Sequence, residues 1–378
     1  MKLFPKKTRK FLGRALWWCA LFAVCFLSAV YAFPYLRSRG ASDATDIAGG
    51  AGGSAAGENK PIVLSLWHAD TFEGGKGSRA AFLKRAAAEY GKKNGGVIVL
   101  VSSYTTAGLK AAFEKGETPD LVSFGIGAEV NPGLFAPLSA EFTKGLKIGA
   151  GAGVSGAGKA ALAVPWCMNC YALYTEKGDF SNASAENALV SSGGKNLAEA
   201  AFSFAFAGEK LQGGAKESVA AYAAFLSGEK KFLLGTGRDL YRFAARERRV
   251  KAKFLPGYND LYQQIGVISA RSGEKKAAAG AAFISYLLSE TVQKKLPQIG
   301  MFSAYYKVYG EGGTGGGAIE AADDIARTIA ADLENELFAS GGARLYADAF
   351  LSETARKSAA ELAVNGQTAE VRQYCKSK

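Results

Sequence analysis

Few residues in this sequence have the type and spacing that chemistry demands. His68 is the only histidine, so a His-rich metal site is excluded. No H-E-x-x-H or G-x-S-x-G motif occurs. Spacing alone leaves a carboxylate-pair glycosidase open, but no candidate base or nucleophile stands out, and the expected class is not an enzyme. Cys167 and Cys170 form a C-x-x-C spacing without a second such pair to complete a zinc site. In an extended segment their α-carbons stand about 10 Å apart, beyond the ~7 Å a disulfide tolerates. A turn at Met168-Asn169 would bring them together; the reading preferred here is a pair of buried free thiols. No cofactor or metal is expected.

What remains suits recognition rather than reaction. Ligands of open parallel sheets bind outside the carboxyl ends of the strands, which directs attention to residues just after each apolar run. Trp67, His68, Asp70 and Thr71 follow the first run. Ser103, Tyr104 and Thr105 follow the second, as ligand contacts or as helix caps. Asp120 precedes the third and is read as structural. Gly125 and Gly127 follow it, where a side-chain-free backbone admits close approach. Trp166 and Tyr171 offer aromatic faces that could stack on a sugar or simply pack. Arg238 and Asp239 either grip hydroxyls or a carboxylate, or pair internally at a helix start. Tyr258, Asp260 and Gln263 make a second polar-aromatic group.

The elements that must hold these residues follow from periodicity. Ile62–Trp67 and Val97–Ser102 are short apolar runs that suit buried strands, as is Leu121–Gly125. Between them Ser78–Lys93 carries Phe82, Ala86 and Tyr90 on one helical face, and Ala107–Glu114 is a second helix. This alternation predicts parallel crossover units with helices on the sheet. Gly145–Gly158 reads as a loop, Ala161–Trp166 and Cys170–Tyr174 as extended, and residues 175–231 as mostly helical by composition. Phe232–Thr236 and Gly266–Ala270 are further strands. Lys275–Leu296 is a helix burying Phe283, Ile284, Leu287, Leu288 and Val292, and two more helices are expected at Ile319–Phe338 and Tyr346–Ala363.

The 378 residues exceed one small core, and 48% hydrophobic with 21% charged content is that of a folded protein. The net charge of +12 suggests nucleic acid until it is located. Six positive charges fall at Lys2, Lys6, Lys7, Arg9, Lys10 and Arg14, and the rest are spread without a basic stripe. No nucleic-acid partner is expected. Ala15–Leu36 is uncharged and long enough to cross a bilayer core of about 30 Å. The charge asymmetry around it places the N-terminus inside and the remainder outside the cell. Residues 1–36 are therefore a signal or anchor segment; cleavage after Val30-Tyr31-Ala32 competes with retention, which is slightly favoured. Residues 37–60 are a Gly/Ala/Ser-rich linker with a reach of about 20–25 Å.

Several segments together resemble the family 1 extracellular solute-binding proteins of ABC importers. These are Trp67-His68, Glu73-Gly74-Gly75, Gly95-Gly96-Val97 after the Tyr90 helix, Gly116–Leu121, Ala163–Trp166, Leu234–Tyr241, and FISYLLSETVQKKL running into Gly300-Met301-Phe302. The resemblance covers most of residues 61–309. It implies a two-lobed, type II periplasmic-binding α/β fold, each lobe a mostly parallel sheet flanked by helices. Residues 61–165 and 266–305 would form lobe 1; residues 166–265 and 306–378, with the C-terminal helices, lobe 2. The hinges would lie near Pro165–Tyr171 and Tyr262–Val267. It further implies a monomer at the outer face of a bacterial membrane that captures a small solute, most often a sugar, for permease subunits. The short second lobe argues against a large oligosaccharide. An anchored sensor module for an amino acid, peptide or anion is the alternative.

Overall fold

The computed structural model describes residues 60–144, 161–255, 257–269, 273–305, 345–346, 348 and 350–375. The anchor, nearly all of the linker, the Gly145–Gly158 loop and the Ile319–Phe338 helix lie outside them. Among the described residues no helix is long and apolar enough to cross a membrane.

Strands β1 (Ile62–Ala69), β2 (Val97–Tyr104) and β3 (Leu121–Phe124) alternate with helices α1 (Arg79–Lys93) and α2 (Thr106–Glu114). Side-chain caps start both helices: Ser78 accepts from the Ala81 N–H, and Thr105 from the Gly108 N–H. β4 (Val164–Met168) and β5 (Tyr171–Thr175) follow, then β6 (Ala188–Ser192), α3 (Ala198–Ala205), β7 (Lys216–Glu217), α4 (Ser218–Leu226) and β8 (Phe232–Thr236). α5 (Gly237–Ala244), β9 (Lys251–Phe254), β10 (Tyr258–Asn259), β11 (Tyr262–Val267), α6 (Glu274–Leu287) and α7 (Glu290–Gln293) come next. β12 (Leu345–Tyr346), α8 (Glu353–Val364) and α9 (Thr368–Cys375) close the chain.

Two five-stranded sheets result, ordered β2-β1-β3-β11-β4 and β7-β6-β8-β5-β9. Each has one reversed strand next to an edge: β11 is antiparallel to β3 and β4, and β5 to β8 and β9. In both cases that strand has just arrived from the other sheet. The fold is thus the expected two-lobed one, with a mostly parallel sheet in each lobe. α1 and α6 cover one face of the first sheet, meeting through Tyr90 and Phe283, whose ring centroids are 5.4 Å apart. α8 and α9 pack on α3, in the second lobe.

Three expectations change. Residues 175–231 contain two strands, β6 and β7, besides α3 and α4; both strands are short and lie in an Ala-rich stretch whose composition reads as helix. The Lys275–Leu296 helix breaks after Leu287, where Ser289 turns extended (ψ 148°) to restart the chain as α7. The Tyr346–Ala363 helix starts only after its Ser352 cap, because Leu345–Tyr346 pairs with β10.

Among the described residues the chain passes between the two five-stranded sheets at Asn169-Cys170 and at Asp260-Leu261, so β4 through Met168 and β11 from Tyr262 belong to the first sheet. The two crossings lie side by side. The Asn169 N–H donates to Leu261 O at 2.6 Å, and Asn259 Nδ2 donates to Asn169 O at 2.8 Å. The Asn169 side chain accepts from the Cys170 and Gly237 N–H groups and donates to Gly300 O. Cys167 and Cys170 are buried thiols not joined by a disulfide, in separate core clusters, and burial pushes the Cys167 thiol up.

Asp260, fully buried at the second crossing, accepts from Tyr171 Oη (2.8 Å), Tyr258 Oη (3.2 Å) and the Leu197 N–H (2.6 Å). Burial outweighs these donors and raises its carboxyl to about 6. A raised acid group stabilises the fold at low pH and loses that contribution as pH rises through the folded value. The unfolding free energy of the wild type, taken relative to Asp260→Asn, should therefore fall by about 2 kcal/mol from pH 4 to 7, mostly below pH 6. Urea titrations across that range test this; a flat difference would refute it.

Candidate functional site between the lobes

The carboxyl end of β1 feeds a loop, Asp70–Ser78, that reaches across to the second lobe. There its backbone pairs with the segment after β6. Phe72 and Gly194 form an antiparallel bridge, Glu73 N–H donates to Gly193 O (2.9 Å), and Lys195 N–H donates to Thr71 O (2.5 Å). Gly194 permits this approach: its φ is +100°, and a Cβ there would stand 2.6 Å from Thr71 O. Arg238 Nη1 reaches back to Gly75 O at 3.3 Å.

The carboxylates at this seam are paired within the protein. Glu73 Oε2 accepts from Arg242 Nη2 and from Ser218 Oγ, both at 2.7 Å, tying the loop to α5 and α4. Arg242 also donates to Asp239 at 2.8 Å. Asp70 accepts from Arg79 Nε at 2.5 Å and pairs with His68 Nε2 at 2.9 Å. Partial burial works to raise its carboxyl, but the His68 and Arg79 contacts more than offset this and hold it well below the usual range.

Side-chain amides are left over. β11 runs opposite to β3, so its first residues lie beside the carboxyl end of β3, with Gln264 level with Phe124. Gln264 is fully buried and neither of its amide atoms has a partner; Gln263 Oε1 and Asn196 Oδ1 are likewise buried and unpaired. Gln263 Nε2 donates to Thr71 Oγ1 at 3.3 Å. Gly125 completes the spot, since a Cβ there would meet Thr71 Oγ1 at 2.4 Å and Tyr262 O at 2.6 Å. Buried polar atoms without partners cost about 1–3 kcal/mol each.

Of the residues singled out in the sequence, Asp70, Thr71, Gly125, Arg238 and Gln263 lie on this seam. The others support it. Trp67 packs on Tyr104 and Phe113, at centroid distances of 4.7 and 5.7 Å. Trp166 is fully buried, stacked on Phe82 at 5.8 Å, with Nε1 donating to Ser123 Oγ at 2.9 Å. The same hydroxyl sits 3.0 Å from His68 Nδ1, so both histidine nitrogens are engaged within the lobe. Tyr171, Tyr258 and Asp260 form the buried cluster at the second crossing. Asp239 is the internal partner in a capping box with Thr236, and its pair is Arg242 rather than Arg238. Sequence reasoning did not name Asn169, Asn196, Gln264 or Arg242 as site residues. Two signals pointed near them: the Gly193-Gly194 pair, which marks a close backbone approach, and T-x-x-D at Thr236–Asp239, which marks a helix start.

No protein-family model and no curated protein sequence matches the chain. Solved structures do. The cyclic α-maltosyl-1,6-maltose binding protein from Arthrobacter globiformis superposes with a TM-score of 0.55 at 12% identity, over 83% of this chain and 96% of that one. The galacto-N-biose/lacto-N-biose I-binding protein of the ABC transporter from Bifidobacterium longum gives 0.54 at 12% identity, over 83% and 94%. The maltose-maltodextrin binding protein of Alicyclobacillus acidocaldarius gives 0.52 at 14%, over 83% and 97%. At such identities the likeness establishes the fold: two lobes of the periplasmic-binding type joined by paired crossings.

Proposed function

We propose that the protein is an extracytoplasmic solute-binding protein that closes its two lobes on a small, neutral, hydroxyl-rich solute, most simply a sugar, and presents it to an ABC-type importer. The observation that carries this reading is the set of unpaired amides at the seam. An amide offers both donors and acceptors, as hydroxyls require. The carboxylates nearby, Asp70, Glu73 and Asp239, are already paired with arginines within the protein. Arg238, the residue that would grip a carboxylate, is turned to a backbone carbonyl. Sugar specificity in the structural neighbours points the same way. Ser123, His68 and Asp70 do form a hydroxyl–imidazole–carboxylate chain, but Ser123 and His68 are buried and the hydroxyl already accepts from Trp166 Nε1, which supports a packing role and binding without turnover. The permease partner, the outer-face location and the tether belong to the same proposal.

A ligand that binds only the folded form at 100 times its dissociation constant adds about 2.7 kcal/mol of stability. Thermal unfolding of the full-length protein against sugars, polyols, amino acids and anions should show an upward shift for one sugar or polyol. Gln264→Leu removes a buried unpaired amide, so the free protein should unfold at the same temperature or higher, while the shift disappears. A shift with anions alone, or one that survives Gln264→Leu, would defeat the assignment.

The seam contacts must break for the lobes to part. The Glu73–Arg242 pair is partly exposed and worth about 0.5–1 kcal/mol. Glu73→Gln should raise the open fraction two- to fivefold, read as faster hydrogen exchange at Glu73 and Lys195, whose amides donate across the seam. Unchanged exchange there would show that the pair does not hold the lobes.

A further inference from the structure

β2 is the outer strand of the first sheet. It is bonded to β1, and no described strand occupies its other edge. Exposed edges are normally blunted by a charge, a proline or a bulge. The sequence of β2, VIVLVSSY, has none of these. Ile98 and Leu100 are 44% and 56% exposed, and Val63, which faces Ile98 in register, is 42% exposed. Alongside lies a groove of about 480 Å³ between α1 and β2. Ala87, Ala88, Gly91 and Gly95 line it, and small side chains leave room for another backbone. Lys84 and Lys92 are the only charged residues on it, and neither pairs with a carboxylate among the described residues.

We propose that the free edge of β2 takes up an extended segment of a partner protein as an added strand, apolar at alternate positions and bearing carboxylates. The unpaired backbone edge and apolar side chains call for a strand; the lysines set its charge. Eight residues apart on α1, they are separated by about 12 Å along the helix. Four residues of an extended strand span about 13 Å and return to the same face. Carboxylates four residues apart would thus meet both lysines. A second copy of this chain fits less well, because pairing β2 with itself brings each lysine pair toward its own like charges.

The probe is a fluorescent peptide, acetyl-TEVTVET-amide, against acetyl-TKVTVKT-amide, with the full-length protein. We expect the acidic peptide to bind and to slow hydrogen exchange within Val97–Tyr104. Lys84→Glu with Lys92→Glu, both exposed and so compatible with folding, should weaken it at least tenfold and reverse the preference. Equal binding of both peptides, or binding without protection of β2, would overturn the proposal. So would protection of β2 that rises with protein concentration in the absence of peptide, which would identify a self-paired dimer instead.

Discussion

Asn169 is the joint on which the two-lobed arrangement depends. It is fully buried, and its backbone binds the second crossing while its side chain binds both lobes: Gly237 at the start of α5 and Gly300 beyond α7. Removing that amide would strand at least two N–H groups in a buried place, at about 1–3 kcal/mol each. Two peptide strands that cross separately could slide against one another. Bonded together at Asn169, they leave rotation about the joint as the soft motion. Hinge closure of this kind needs only a few residues to absorb the change, and the neighbouring Tyr171–Asp260–Tyr258 cluster fixes the second crossing against which they turn.

This joint explains the reversed strand in each sheet. A chain leaving the first lobe along β4 enters the second as β5, and it returns along β11; each arriving strand is set against the direction of its new neighbours. Periodicity alone carries no such information. It placed β1, α1, β2, α2 and β3 close to their observed limits because each is a local pattern: an apolar run, or apolar residues at helical spacing, with a cap before it. β6 failed because Ala188–Ser192 is short and lies among alanines, and only its parallel pairing with β8 makes it a strand. The break between α6 and α7 failed for a related reason: the apolar stripe continues through Leu288 to Val292, while the backbone does not.

The site was legible to a similar depth. The rule that ligands gather at strand ends led to Asp70, Gly125 and Arg238, all three on the seam. It also led to Trp166 and His68, which share one hydroxyl, Ser123, within the first lobe. Which aromatic faces a cleft and which faces a helix depends on Phe82, far away in sequence. The residues that close the seam, Glu73 with Arg242 and Thr71 with Lys195, are matched across more than a hundred positions, a spacing no motif spans. Gln264 was hidden for another reason. Its significance lies in having no partner, which only the surrounding packing reveals.

The seam's strength bears on whether such a clamp can respond to a solute. Two backbone bonds near the bridge contribute about 0.5–1.5 kcal/mol each, and the partly exposed Glu73–Arg242 pair about 0–1. The sum is a few kcal/mol before the entropy of holding the lobes together is set against it. A ligand shifts such an equilibrium only by its differential affinity for the two states. Closure worth tens of kcal/mol would be indifferent to a small sugar; closure worth a few is not. On the proposed reading the unpaired amides would sharpen the response, because a hydroxyl-rich solute would supply the hydrogen bonds they lack. A seam of that strength would favour closing weakly on its own and more strongly with a solute bound, which is the property the proposed capture role requires.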